Sequence, residues 1–321
     1  MKNIDTYKLS VIVPCYNEES VINATYLRLK DVLRQMSCLH EIIFVNDGST
    51  DSTLKILTSI SSEDKTVVII NFSRNFGHQP AVTSAIHHCT GDFAAIIDAD
   101  LQDPPEVIPQ MVQKMLSENC NVVYGVRKIR KGETVFKKIS AKLFYRILNS
   151  MSDVVMPVDT GDFRLIDKKV INTFRTLREK HKYIRGLITW VGFKQVPIFY
   201  DRDPRFAGET KYPLFKMLGF ATRGLLYFTK RPLRIASNIG FFCIVIGLLL
   251  IFYTLFMKLY HPEHLVLGWA SLLTIFIFFG GIQLFTIGVL GEYIGNIFDE
   301  VKERPEYIIE SVITHADHEL T

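Results

Sequence analysis

Two long stretches without a charged side chain, residues 235–257 and 265–291, limit what this chain can become. Each exceeds the roughly 20 apolar residues a helix needs to cross a bilayer. Joined by the short segment 258–264, they predict an antiparallel pair of membrane helices. Arg223, Lys230, Arg231 and Arg234 precede the first stretch, and Lys302 and Arg304 follow the second. The connection carries only Lys258 among lysines and arginines. The bias of basic residues toward the cytoplasm then places both termini, and everything before residue 235, on that side. Gly280, Gly281, Gly288, Gly291 and Gly295 suit close helix contact, so a homo-oligomer is an expectation. The first apolar run, residues 9–14, is too short for a secretory signal.

With 321 residues there is room for one large domain beside this appendage. A net charge of +4 is too mild to argue for nucleic acid as a partner. Cys15, Cys38, Cys89, Cys120 and Cys243 are scattered with no C-x-x-C spacing. Neither a zinc site nor a disulfide framework is suggested, and reduced thiols are expected.

Residues 9–14, 41–46, 67–72 and 93–97 are continuous apolar runs, each followed by a polar cluster and a helical stretch. Such alternation predicts a mostly parallel sheet covered on both faces, a Rossmann-like α/β domain. A helix over 104–117 and a strand over 121–126 continue it. The clusters are Tyr16-Asn17-Glu18, Asp47-Gly48-Ser49, Arg74-Asn75 and Asp98-Ala99-Asp100. All four fall after strands, at the rim where open α/β sheets bind ligands.

The sharpest of these is the acidic pair. On an extended segment Asp98 and Asp100 point the same way. Two carboxylates on one face repel unless a proton or a cation lies between them. Oxygen ligands suit Mg²⁺ or Mn²⁺, and Gln102 offers a further oxygen. The plain alternative is an acidic loop capping the helix that starts near Pro104.

Beyond residue 127 the alternation breaks. A basic loop holds Arg127, Arg130 and Lys131, and a second holds Arg205 and Lys211. Residues 137–150 and 212–229 are amphipathic, which suits either packing on the sheet or an interfacial position at a membrane. Residues 160–164 read as a turn before another helix, and 193–200 as a strand.

Together these residues resemble the family 2 nucleotide-sugar glycosyltransferases of GT-A fold. The resemblance rests on Val13-Pro14-x-Tyr16-Asn17-Glu18, Val45-Asn46-Asp47-Gly48-Ser49-x-Asp51 and Asp98-x-Asp100-Leu101-Gln102-Asp103-Pro104. Arg74-Asn75-x-Gly77, Gly161-Asp162-Phe163-Arg164 and Arg205-x-x-Gly208-x-Thr210-Lys211 narrow it to the polyprenyl-phosphate enzymes. Within these, the chain is similar to bactoprenol glucosyltransferases and dolichol-phosphate mannose synthases. The implied layout is a GT-A domain over 1–211, an interfacial helix over 212–234, membrane helices over 235–257 and 265–291, and a cytoplasmic tail over 292–321. The implied place is the bacterial inner membrane.

The resemblance implies a metal held by Asp98, Asp100 and Gln102, and a nucleotide-sugar pocket made by Pro14, Tyr16, Asn17, Glu18, Asp47, Arg74, Asn75, Gly77 and Asp98. Asp47 is suited to hydrogen-bond the base or ribose, uracil by resemblance. The acceptor is a polyprenyl phosphate, whose charge calls for cations. Arg127, Lys137, Arg205 and Lys211 form the expected clamp, with Arg130 and Lys131 beside it. Family members often carry a serine where Ala141 stands, with Ser140 beside it here. A phosphate acceptor is already ionised, so Asp162 is expected to orient rather than to act as a strong base. Direct attack predicts inversion, and glucose from UDP-glucose is the expected cargo. Other donors (UDP-GlcNAc, UDP-galactose, GDP-mannose, an aminosugar) preserve the reaction class. A processive polysaccharide synthase is disfavoured, because neither Trp190 nor Trp269 follows an arginine as a Q-x-x-R-W signature requires. A catalytically silent membrane scaffold has no chemical need for complete metal and cation sets. Later use of the lipid-linked sugar, such as O-antigen or lipopolysaccharide decoration, depends on other proteins.

Overall fold

Continuous apolar runs become the centre of one sheet. A computed structural model describes residues 7–127, 160–180, 182–202, 231–260 and 268–318. Strands β1 (Lys8–Cys15), β2 (Leu39–Asn46), β3 (Val67–Phe72) and β4 (Phe93–Ile96) are parallel neighbours in the order β4-β1-β2-β3. Helices α1 (Ile22–Gln35), α2 (Thr53–Glu63) and α3 (His78–His88) connect them. Each strand is buried on both sides, which is why its sequence shows no alternation. Leu9, Ile12, Ile42, Ile43, Phe44 and Phe72 are fully buried.

After β4 comes a single 3-10 turn, Pro105–Val107, and then α4 (Ile108–Glu118). The prolines explain the split. Pro109 has no N–H to donate to the Pro105 carbonyl four residues back, so the α-helix starts later than the sequence pattern suggested. The next strand, β5 (Val122–Arg127), does not pair with β4.

The strand between them is β6 (Thr160–Asp167), antiparallel to both. Residues 160–164 were expected to form a turn, and this is corrected. Phe163 and Leu165 are fully buried, so an apolar alternation hidden behind Gly161 and Asp162 drives pairing. β7 (Gln195–Tyr200) runs parallel to β5 at that edge.

The far edge holds a second difference. β8 (Ile309–Thr314) pairs antiparallel with β3, so the sheet order is β7-β5-β6-β4-β1-β2-β3-β8. Residues 304–318 therefore belong to the sheet-bearing unit.

The second unit contains two long helices, Arg231–Tyr260 and Trp269–Val301, which pack against each other. Among the described residues, Phe278–Val301 is long and apolar enough to cross a membrane, with a mean hydropathy of 1.3 over 24 residues. Ala236–Gly247 is a shorter apolar stretch. A Cβ added at Gly280, Gly281, Gly288, Gly291 or Gly295 would meet nothing within 4 Å among the described residues. The amphipathic stretches 137–150 and 212–229 lie outside the described residues.

Candidate active site

The loops after β1 and β2 are laced together. Asn17 adopts a left-handed backbone, φ 53°, and its Oδ1 accepts from the Thr50 N–H at 2.8 Å. Ser49 Oγ accepts from the Asn17 N–H at 3.0 Å, and Thr53 Oγ1 from the Glu18 N–H at 2.9 Å. Tyr16 stands at the rim, 39% exposed. Pro14 is a buried residue near the end of β1.

Asp47 holds the loop after β3. Its Oδ1 accepts from the Phe76 N–H at 2.7 Å, and its Oδ2 from Gly77 N–H and Asn75 Nδ2 at 2.9 Å each. The residue is 3% exposed. Both oxygens are thus engaged by residues 75–77, where a contact to base or ribose was expected. Gly48 lets the two loops touch: at φ 61°, a Cβ there would lie 2.3 Å from the Arg74 carbonyl carbon. Arg74 is exposed, with its guanidinium 4.1 Å from the centre of the Phe76 ring. Gly77, at φ 108°, leads into α3.

Asp98 and Asp100 do not sit on an extended segment. β4 ends at Ile96, residues 99–100 form a turn, and Leu101 is left-handed at φ 57°. Asp100 Oδ1 accepts from the Gln102 N–H at 3.1 Å, closing that turn. Turn geometry, and not strand alternation, groups Asp98, Asp100 and Gln102.

Register then brings in a distant carboxylate. The antiparallel pair β4–β6 ends with Ile96 facing Arg164, and Asp162, two residues before Arg164 on β6, lies near Asp98 in the segment that follows β4. His78, the first residue of α3, lies between them. Its Nε2 is 3.2 Å from Asp162 Oδ2 and 3.6 Å from Asp98 Oδ1. Arg185, from the helix Ile184–Trp190, grips Asp162 with Nε at 2.6 Å and Nη2 at 3.0 Å. Gln79 Oε1 accepts from the Ile184 N–H at 2.9 Å, which fixes that helix to the start of α3.

These contacts sort the two acids. Burial works to raise Asp162, but Arg185, His78 and Arg164 outweigh it and hold the carboxyl well below the usual range. Asp98 goes the other way. Burial raises it, His78 opposes, and the carboxylates of Asp162, Asp103 and Asp100 reinforce the rise, so it is pushed up to about 6. Crowded carboxylates of this kind are relieved by a divalent cation. Among the described residues no group of three or more His, Cys, Asp or Glu side chains forms a ready metal cage. Asp98, Asp100 and Gln102 bring side-chain oxygens to this turn, the donor type that hard divalent cations take.

Of the expected cationic clamp, Arg127 ends β5, with Nη2 3.9 Å from Asp103 Oδ1. Arg130, Lys131, Lys137, Arg205 and Lys211 lie outside the described residues. The sequence reading gave no role to His78, Arg185, Tyr200 or Arg202, and it used Arg164 and Asp103 only as motif residues. His78 had a usable signal, a polar residue opening a helix at the ligand rim. Arg185 had none, since only the fold carries it to Asp162.

The chain was compared with known proteins. A family profile described as Glycosyl transferase family 2 matches residues 10–175, and one described as GtrB C-terminal hairpin matches residues 231–297. The glycosyltransferase YkcC of Bacillus subtilis is 50% identical over 301 residues, covering 94% of this chain and 93% of that protein. A protein named prophage bactoprenol glucosyl transferase homolog, from Escherichia coli K12, is 38% identical over 307 residues, covering 95% and 99%. Among solved structures, the glucosyl-3-phosphoglycerate synthase of Mycobacterium tuberculosis with Mn²⁺ and UDP-glucose aligns at a TM-score of 0.46. It is 19% identical, over 68% of this chain and 78% of that one.

Proposed function

The chain belongs to glycosyl transferase family 2, and on that premise we propose that it moves a hexose from a nucleotide sugar onto the phosphate of a polyprenyl lipid at the cytoplasmic membrane face. UDP-glucose is the proposed donor and undecaprenyl phosphate the proposed acceptor. The E. coli relative carries bactoprenol glucosyl transferase in its name and aligns over nearly its whole length. The hairpin helices supply the membrane anchor, with Arg231 and Arg234 in the first turn of the first and Lys302 and Arg304 after the second arguing for cytoplasmic ends.

One observation carries the chemical reading: His78 bridges Asp98, at the acidic turn, and Asp162, on β6. The turn is the donor's side of the rim, and β6 leads back from the basic segment that follows β5. Asp98, Asp100 and Gln102 would hold Mg²⁺ or Mn²⁺. When bound, that ion supplies positive charge against the diphosphate leaving group. Asp47 acts on the donor through the 75–77 loop it holds, and Tyr16 offers an exposed ring beside it. Asp162, clamped by Arg185, stays ionised and orients its neighbours. A phosphate acceptor already carries the negative charge needed for attack, so no residue has to remove a proton. In-line displacement inverts the anomeric centre.

Label transfer from a panel of UDP- and GDP-sugars to undecaprenyl phosphate, in detergent, with and without Mg²⁺ or Mn²⁺, tests this. A metal-dependent, inverted product from UDP-glucose is expected. A product from another donor changes the sugar and keeps the class. No transfer from any donor by folded, metal-supplied protein overturns the reading in favour of a silent scaffold.

A further inference from the structure

Asp103 is fully buried, at 0% exposure, beside the acidic turn. Among the described residues its hydrogen-bond donor is the Tyr200 hydroxyl, 2.5 Å from Oδ1, at the end of β7. Two guanidiniums approach the same oxygen without reaching hydrogen-bond distance, Arg127 at 3.9 Å and Arg202 at 3.7 Å. The buried atoms Asp103 Oδ2, Arg127 Nε and Arg202 Nε have no hydrogen-bond partner among the described residues. One carboxylate therefore faces two cations, and N–H groups at its edge stay unspent. Buried donors of that kind are costly unless something takes them up.

The strands explain the arrangement. β5 and β7 run parallel with Arg127 opposite Tyr200, so both end at the same level. β6 makes room, since a Cβ on Gly161 would lie 2.8 Å from Arg127 Nη2. Arg127, and Arg202 two residues beyond Tyr200, thus converge on Asp103, which follows the turn holding Asp98 and Asp100.

We propose that Arg127 and Arg202 form a two-guanidinium seat for a phosphate monoester, the acceptor's headgroup, with Asp103 and Tyr200 as the positioning residues that hold it. Arginine suits the task because its planar fork donates two parallel hydrogen bonds to phosphate. Asp103 leaves the pair with excess positive charge and fixes its direction. This inference rests on the proposed acceptor and adds Arg202, Asp103 and Tyr200 to the residues serving it.

The test is steady-state kinetics of the full chain in detergent, varying undecaprenyl phosphate and sugar nucleotide separately. Arg202→Ala is expected to raise the KM for the lipid phosphate about tenfold, with Arg202→Lys recovering part of the loss. Tyr200→Phe, which removes one hydroxyl, and Asp103→Asn are expected to move the same constant while the donor KM stays within about twofold. Gly161→Ala, which pushes on Arg127, should do likewise. An unchanged lipid KM in folded Arg202→Ala overturns the proposal. Equal shifts in both KM values, tracking a lowered Tm, overturn it in favour of a purely structural cluster. Wild-type transfer to the lipid is the control: its absence defeats the proposed function itself, whereas transfer with an indifferent Arg202 defeats only this inference.

Discussion

Tyr307 lies face to face on Phe72, with ring centroids 5.2 Å apart and planes 8° from parallel. Phe72 in turn meets Phe76 edge-on at 5.7 Å. The Ser73 N–H donates to the Ile308 carbonyl at 3.1 Å, and Asn71 Nδ2 to Glu310 at 2.9 Å. Residues that follow the hairpin in sequence thus brace β3, the strand that leads into the 73–77 loop held by Asp47. Lys182 and Glu306, both nearly buried, pair across 124 positions and add to that brace. Truncating Tyr307 to alanine removes a half-buried ring and its stack, a loss of about 1–2 kcal/mol. The expected readout is a lower Tm in detergent and a donor KM that rises more than the acceptor KM. Deleting 304–321 should leave the β3 edge unpaired and the remainder prone to aggregate. Monodisperse, fully active protein after that deletion would contradict the brace.

Asp47→Ala strips the partner from two backbone N–H groups and the Asn75 amide. Leaving such donors unsatisfied costs about 1–3 kcal/mol each where water cannot reach them. The loop is expected to loosen, with the nucleotide-sugar KM rising at least about tenfold and the lipid KM little changed. Titration calorimetry with the free nucleotide, showing wild-type affinity for the variant, would count against it.

Asp162 remains ionised through the neutral range, because Arg185, His78 and Arg164 outweigh the effect of burial. The pH–rate profile of Asp162→Asn should therefore keep the wild-type shape at a lower level, without rescue at high pH. Arg185→Ala is expected to lower the rate in parallel, since it frees the carboxylate it orients. A wild-type limb near neutrality that disappears in Asp162→Asn would instead reveal a general base.

Acid stability should track Asp64. Burial works to raise its carboxyl, but Lys30 at 2.8 Å, Thr66 and Tyr26 outweigh it and hold it well below the usual range. A depressed folded-state value means that the contribution is complete above the unfolded value, roughly 4, and is lost as pH falls through and below it. Lys30→Met should lower the Tm at neutral pH and flatten its fall between about pH 5 and 2. Identical acid-melting curves for variant and wild type would refute the assignment.

Chelation of divalent ions, or Asp98→Asn, should reduce transfer about a hundredfold or more by removing charge stabilisation of the leaving diphosphate. Added Mg²⁺ or Mn²⁺ is expected to restore the chelated wild type. Full activity in chelator-treated protein, with metal content verified by elemental analysis, would dismiss the metal.

The parts legible in sequence were those governed by neighbours along the chain. β1 to β4 declared themselves because a strand buried on both faces must be continuously apolar. The acidic residues at 98 and 100 stood out by type, yet their turn was misread as extended, because backbone direction after Ile96 depends on the left-handed Leu101. Thr160–Asp167 hid as a strand since glycine and short polar residues mask its pairing tendency. Ile309–Thr314 hid because a short alternating run acquires meaning only beside β3.

Composition and local pattern by themselves determined an α/β domain, an apolar hairpin and an oxygen-rich rim after the strands. Periodicity and side-chain type act over a few residues, and they need no partner to be read. Tertiary structure alone decided that β6 enters between β4 and β5, that Asp98 lies near Asp162 with His78 between, and that Asp103 faces Arg127 and Arg202. Those contacts join residues tens of positions apart. Their distances follow from sheet order and strand register, which the whole core selects at once and no single segment encodes.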